Sequence, residues 1–263
     1  MIKMLFLEFF RLPKFLMYFI YDYLIYKYMK HNKDFFGWGI HLFVGRFGSG
    51  KTATAVRYVY NQCLKYPQIS VLTNIRLVNF PVHTKILNLS NAQDILNAPE
   101  NCIVLIDEIG TIFNSRDFSG GKVAVPKVLF QHLCQCRKRH MQIIGTVQKY
   151  NLLDKQIRDI SATVTVCKGS FRHPFTRLVK CYEYDVDEYD MYMSNRLYNP
   201  KLNNSYCYIQ TNLLRDLYDT SELVDSMLNK EYLTDKEIIE NRGDINVNNV
   251  EISKRKRKKI NRF

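Results

Sequence analysis

The sequence predicts an α/β fold. It reads as a mostly parallel sheet with helices on both faces, preceded by an apolar amphipathic helix and followed by a basic tail. Three observations carry that prediction. Residues 45–52 read Gly-Arg-Phe-Gly-Ser-Gly-Lys-Thr between a short apolar strand and a helix. Residues 102–106 form an unbroken apolar run that ends in Asp107-Glu108. Strand-like and helix-like segments alternate between residues 41 and 167, the pattern of strands joined by crossover helices.

The chain has 263 residues, enough for one large domain with appendages. Three segments follow: 1–36, an apolar N-terminal stretch; 37–220, the domain proper; and 221–263, a polar helix over 221–241 and a basic tail. Residues 1–35 are rich in Leu, Phe, Tyr and Ile. Asp22, Lys14 and Lys27 interrupt every window long enough to span a bilayer, and no small-residue cleavage site follows. At 100° per residue, Lys3, Glu8, Arg11, Lys14 and Asp22 gather on one side, with Pro13 a possible kink. The preferred reading is a helix lying on a membrane or against a partner. A single spanning helix and a helix packed on the core are the alternatives.

The motif at 45–52 fits G-x-x-x-x-G-K-T, the phosphate-binding loop of P-loop NTPases. Gly45, Arg46, Phe47, Gly48, Ser49 and Gly50 would wrap backbone N–H groups around a triphosphate. The following helix adds its positive N-terminal end. Lys51 can reach the β- and γ-phosphates, Thr52 can ligate Mg²⁺, and Thr54 completes the expected nucleotide-binding set. ATP with Mg²⁺ is therefore the expected cofactor pair.

The strand expected over 102–107 is apolar without alternation up to its carboxylate, which suits a parallel strand buried on both faces. Asp107 then stands at the strand's C-terminal end, where open α/β sheets bind ligands, and would hold Mg²⁺ through water. Glu108 is placed to act as general base toward an attacking water. That second carboxylate favours ATP hydrolysis over phosphoryl transfer to a small acceptor. Further strands are expected over 41–44, 69–73, 142–147 and 162–167, with helices over 51–65, 91–97 and 127–139. Gln148, after the strand 142–147, is a candidate to touch the γ-phosphate or the attacking water. Arg139, in the basic helix end 137–140, is a candidate arginine finger on a neighbouring subunit's phosphate, and Arg158 is another. Basic residues there also complement the helix dipole. The segment 113–126 reads as a loop after the acidic strand, 178–186 as an edge strand, and 194–210 as loop. The seven cysteines form no metal-ligand pattern and read as reduced thiols.

Net charge is +13, much of it in the run 253–259. Such a run binds polyanions by counterion release, so nucleic acid and an anionic membrane are both open as targets, beside a plain solubilising tail.

Together these residues resemble the zonular occludens toxin-like ATPases, a group that includes filamentous-phage assembly proteins and lies in the FtsK/HerA-type DNA-pumping superfamily. The resemblance runs over residues 40–220. It rests on 45–52, on Ile106-Asp107-Glu108-Ile109-Gly110 leading to Phe113-Asn114-Ser115-Arg116, on Arg137–His140, on Gly145-Thr146-Val147-Gln148, on Asp154–Arg158, and on Tyr218-Asp219-Thr220. Asn114 stands where members typically have proline, and Val147 separates Thr146 from Gln148. The resemblance implies an ATP-driven motor that moves phage or mobile-element DNA, single-stranded ahead of double-stranded. It also implies a homo-oligomeric ring in the bacterial host cytoplasm, associated with the inner membrane through residues 1–36. Members usually carry a membrane helix after the ATPase domain, whereas the apolar segment here is N-terminal, so extrusion and packaging both stay open. The competing functions are a nucleotide-switched membrane scaffold, a P-loop small-molecule kinase and a replication helicase.

Overall fold

A computed structural model describes residues 2–31, 34–111, 113, 127–171, 175, 177–195 and 197–219. The expected features at 114–126, at Thr220, over 221–241 and in the tail 253–259 lie outside those residues. Ten strands are described: β1 Gly39–Val44, β2 Ser70–Thr73, β3 Arg76–Leu77, β4 Lys85–Asn88, β5 Cys102–Ile106, β6 Gln142–Val147, β7 Ser161–Gly169, β8 Leu178–Asp185, β9 Leu202–Ile209 and β10 Tyr218–Asp219. The α-helices are α1 Ile2–His31, α2 Lys51–Lys65, α3 Ala92–Leu96, α4 Lys127–Cys134, α5 Lys155–Asp159, α6 Val186–Ser194 and α7 Asn212–Arg215.

Eight strands form one sheet in the order β4-β2-β5-β6-β1-β7-β8-β9. The first six run parallel, and β8 and β9 are antiparallel additions. β3 and β10 pair separately. In β5 every residue is buried. Cys102, Val104 and Ile106 join the core on one face, which includes Leu129 of α4 and Tyr189 of α6. Ile103 and Leu105 join the other, with Val56 and Val59 of α2. The period-2 geometry of a strand sends alternate residues to opposite faces, and a sheet covered on both needs apolar side chains at each. The fold is thus a mostly parallel α/β sheet with helices on both faces.

Two segments differ from expectation. The stretch 194–210, read as loop, contains β9, and β8 is therefore not the edge strand. β9 is mostly exposed with one buried residue, Tyr208, and its Asn-rich start reads as loop. Its pairing with β8 is a backbone property, and backbone hydrogen bonds leave no mark on composition. The expected helix 127–139 divides into α4 and a 3₁₀ turn, Cys136–Arg139. The acidic residues after 184 have a local role: the Asp185 side chain caps α6, and Asp187 and Glu188 lie in its first turn, where carboxylates offset the helix dipole.

α1 runs as one helix through Pro13. Phe15, Leu16, Met17 and Tyr18 are all exposed, and four consecutive residues cover every side of a helix. Its apolar surface therefore extends round the helix rather than along one stripe. No helix among the described residues is long and apolar enough to cross a membrane. Tyr26 meets Phe36 edge-to-face at 5.5 Å, which ties the end of α1 to the domain.

Candidate functional site

β6 lies between β1 and β5 in the sheet. The C-terminal ends of these three parallel strands present the phosphate loop, Gln148 and the Asp107-Glu108 pair side by side. The loop leaves β1 with Gly45 N–H donating to Val147 C=O at 3.1 Å, and Ser49 N–H donates to Arg46 C=O at 3.1 Å. Gly50 has φ +86°, and a Cβ there would lie 2.6 Å from Val179 Cγ2 and 2.7 Å from Gln210 Nε2. Only glycine serves where both the dihedral and the space exclude a side chain. Gly50 precedes α2 without a side-chain cap, so no side chain competes there for the helix's first N–H groups. The Ser49 hydroxyl is buried with no hydrogen-bond partner. A buried hydroxyl and an uncapped helix start fit the oxygens of a phosphate.

Lys51 follows, buried, with Nζ 2.8 Å from Glu108 Oε1 and 5.4 Å from the Phe47 ring centroid. Gln148 Nε2 donates to the same Glu108 oxygen at 3.2 Å. Asp107 is more enclosed. Its Oδ1 accepts from Thr52 Oγ1 at 2.9 Å and from Thr146 Oγ1 at 2.6 Å. Burial pushes the Asp107 carboxyl above its ordinary pKa, against the opposing hydrogen bonds from Thr146 and Thr52 and the charge of Lys51. A desolvated carboxylate touching a threonine hydroxyl is a hard-oxygen pair of the kind that takes Mg²⁺, and the cation would offset the burial cost.

Expected positions 45–52, 107, 108 and 148 are brought together. Three others are placed elsewhere. The Thr54 hydroxyl turns away from the loop, donating to Gly50 C=O at 2.7 Å and bonding the Tyr208 hydroxyl at 2.8 Å. It holds the loop from behind. Arg139 lies before the start of β6, at the opposite end of the parallel strands from Lys51. Its guanidinium bonds Leu96 C=O at 3.3 Å, Ala98 C=O, and His132 Nε2 at 2.9 Å. That cation is engaged in closing the turns that precede β5 and β6. Arg158, the other candidate, pairs with Asp190 at 3.6 Å and lies over the Tyr150 ring.

Two residues escaped the sequence reading. Asn74, after β2, clamps the Asp107 peptide from both sides: Asp107 N–H donates to Asn74 Oδ1 at 2.8 Å, and Asn74 Nδ2 donates to Asp107 C=O at 3.0 Å. Thr146 also accepts from Glu108 N–H at 2.9 Å. Glu108 has φ 53°, a left-handed conformation uncommon for a residue with a side chain. The Thr146 bond holds that peptide and so aims Glu108 at Lys51. Thr146 sat within a motif already noted; nothing in the sequence around Asn74 marked it.

The sequence model described as Zonular occludens toxin (Zot) matches residues 39–172. The Gene 1 protein of Salmonella phage IKe is 27% identical over 148 residues, covering 49% of this chain and 40% of that protein. The Gene 1 protein of Enterobacteria phage M13 is 25% identical over 148 residues, 49% of this chain and 42% of the relative. The match thus spans less than half the length of these relatives. Among solved structures, the N-terminal domain of zonular occludens toxin from Neisseria meningitidis is similar at TM-score 0.48 and 21% identity, over 70% of this chain and 100% of that one. The genome packaging NTPase B204 from Sulfolobus turreted icosahedral virus 2, in complex with ATP-gammaS, gives TM-score 0.43 and 15% identity, over 63% and 97%.

Proposed function

We propose that this chain, which belongs to the zonular occludens toxin (Zot) family, is an ATP-hydrolysing motor that moves phage or mobile-element DNA. The observation that carries the reading is the unequal pair of carboxylates at the end of β5. Asp107 is buried and fixed by hydroxyls, whereas Glu108 is accessible and held by Lys51 and Gln148. A metal-holding group should be immobile, and a general base needs access to water and a partner that can let it go.

A triphosphate entering the loop competes with Glu108 for Lys51. Phosphate oxygens draw the Lys51 ammonium away, and Glu108 is released toward Gln148 and the space where water would attack the γ-phosphate. Glu108 then takes a proton from that water while Gln148 orients it. Thr52 and Asp107 would hold Mg²⁺, which would supply charge neutralisation to the phosphates.

DNA as the cargo is supported by the +13 net charge and by the motifs shared with DNA-pumping ATPases; single-stranded DNA stands ahead of double-stranded. A homo-oligomeric ring would bring a neighbour's arginine to each phosphate. The aromatic α1, with its apolar surface in solvent, supports attachment to the bacterial inner membrane from the cytoplasmic side through residues 1–36.

Steady-state ATP hydrolysis with and without single- and double-stranded DNA, beside Lys51→Ala, tests the reading. DNA-stimulated turnover that the variant lacks is the expected result. Tight ATP binding with no turnover under any condition would overturn the motor and favour a nucleotide-switched scaffold.

A further inference from the structure

The parallel strands place the phosphate loop, Asp107 and Glu108 at one end of the sheet, and their other end carries a different surface. The turns that enter β1, β2, β5, β6 and β7 all lie there, because parallel strands begin on the same side. Trp38, immediately before β1, is the one tryptophan of the chain and is 49% exposed. The Arg137 guanidinium, from the turn that enters β6, lies 5.6 Å from the indole ring. Lys138 follows it, exposed. At the end of α2, Leu64 is 56% exposed, and the Lys65 ammonium lies 4.8 Å from the Tyr66 ring centroid.

α1 joins the domain at this same end. Phe35 and Phe36 meet Tyr66 at 5.5 and 6.1 Å, and Phe36 also meets Tyr26 of α1. The apolar helix therefore leaves the domain from the end that bears Trp38. In the sequence, Lys27, Lys30 and Lys33 follow its aromatic stretch. With Lys65, Arg137 and Lys138 they outnumber the carboxylates of that end, Asp34, Glu100 and Asp159. An indole half in water beside a guanidinium, next to an apolar helix flanked by lysines, has the chemistry of a membrane–water interface. The ring suits the level between tails and headgroups, and the cations suit lipid phosphates. A nucleic acid would also attract the cations, but it gives no cover to the bare Phe15, Leu16, Phe19 and Leu24 of α1.

Resting on the reading that α1 attaches the chain to a membrane, we infer that the end of the sheet at which the strands begin docks on an anionic lipid surface. Trp38 lies at headgroup level, and Arg137 and Lys138 meet lipid phosphates. The phosphate loop and the Asp107–Glu108 pair, at the other end of the strands, then face away from lipid and toward water.

The single tryptophan makes the test direct. The full chain is mixed with vesicles of phosphatidylcholine alone, or of phosphatidylcholine and phosphatidylglycerol in equal parts. Flotation reports binding by any segment, the basic run 253–259 included, whereas Trp38 emission reports this end of the sheet. With the anionic vesicles the protein is expected to float, and Trp38 emission to move to shorter wavelength and be quenched by lipids brominated near the headgroup. Arg137→Ala with Lys138→Ala should weaken binding to the anionic vesicles by about 25-fold, roughly fivefold for each basic residue near the surface. The double variant should keep the melting temperature and ATP hydrolysis of wild type, since both side chains are exposed. Flotation with unchanged Trp38 emission would overturn the inference and leave attachment through α1 standing. Equal binding by wild type and the double variant would overturn it as well. No flotation with either vesicle would remove the attachment itself, and this inference with it. A Trp38 response to single-stranded DNA that anionic vesicles do not compete away would assign this end to nucleic acid and overturn the lipid reading.

Discussion

Helices α1 and α2 are both rich in apolar residues and end in opposite environments. In α2, Ala53, Ala55, Val56, Val59 and Cys63 are buried, while Asn61 and Lys65 are exposed. In α1, Phe15, Phe19 and Leu24 are each more than half exposed. The difference lies in pattern. Small and branched residues at helical spacing give α2 one face that a sheet can cover. Apolar residues all round α1 leave more surface than one neighbouring element can bury. α2 also begins at the phosphate loop, so its placement sets the geometry of Lys51 and Thr52. The comparison predicts strong coupling among substitutions around the start of α2 and near-independence of the fold from α1.

The largest effect is expected at Glu108. Glu108→Gln should lower ATP turnover by about 100-fold or more while keeping nucleotide binding, since Lys51 loses only its resting partner. Single-turnover hydrolysis beside equilibrium binding measures both; unchanged turnover would remove Glu108 as base.

Asp107→Asn should abolish Mg²⁺-dependent hydrolysis yet raise the melting temperature of the nucleotide-free protein. The folded-state pKa of Asp107 is raised by burial. The native state therefore binds the proton more tightly than the unfolded chain, and stability falls as pH rises between the unfolded and the folded pKa. The penalty is complete above the folded pKa and absent below the unfolded value. The stability advantage of Asp107→Asn should accordingly be present at neutral pH and vanish in acid. Thermal melts across pH, without Mg²⁺, would show it; an advantage that grows in acid would contradict the assignment.

Thr146→Val keeps the shape and removes the hydroxyl that joins Asp107 to the Glu108 peptide. A loss of about 1–3 kcal/mol is expected by chemical denaturation, the cost of leaving buried polar groups unpaired. A cost near zero would mean that Asn74 alone holds the strand end.

The smallest effect on the fold should come from α1. Leu16→Glu, Ile20→Glu and Leu24→Glu together should leave stability within about 0.5 kcal/mol, because exposed positions tolerate such changes. The same triple variant should lose flotation with anionic liposomes. A large drop in stability would show that α1 is covered by the domain, and wild type staying in the bottom fraction would remove the membrane role.

Legibility in the sequence followed the same division. The strands β1, β5 and β6 were legible because burial on both faces demands continuous apolar runs, and the phosphate loop because its glycines are locally required. β9 was not, because an edge strand held by backbone pairing needs no apolar side chains. Thr54 was read from its nearness to the motif, but it lies among the buried residues of α2, and its hydroxyl closes on Gly50 C=O. Arg139 was read from its neighbours in the chain, whereas its guanidinium is engaged by Leu96 and Ala98 carbonyls some forty positions away.

What the sequence by itself determined is local: a strand, a glycine-rich turn, a helix that starts at Lys51 and Thr52, and two carboxylates at the end of a buried strand. Each depends on dihedral preference or on burial of neighbouring residues, and neighbours are written side by side. What only the tertiary structure decided is which distant pieces meet. The insertion of β6 between β1 and β5 sets Thr146 on Asp107 and Gln148 on Glu108. The return of β2 beside β5 brings the Asn74 clamp, and the packing of α6 beyond β7 gathers Tyr150, Tyr189 and Tyr192 into one wall. Those meetings depend on strand order and close packing, which many sequence separations satisfy equally well until the whole chain is folded.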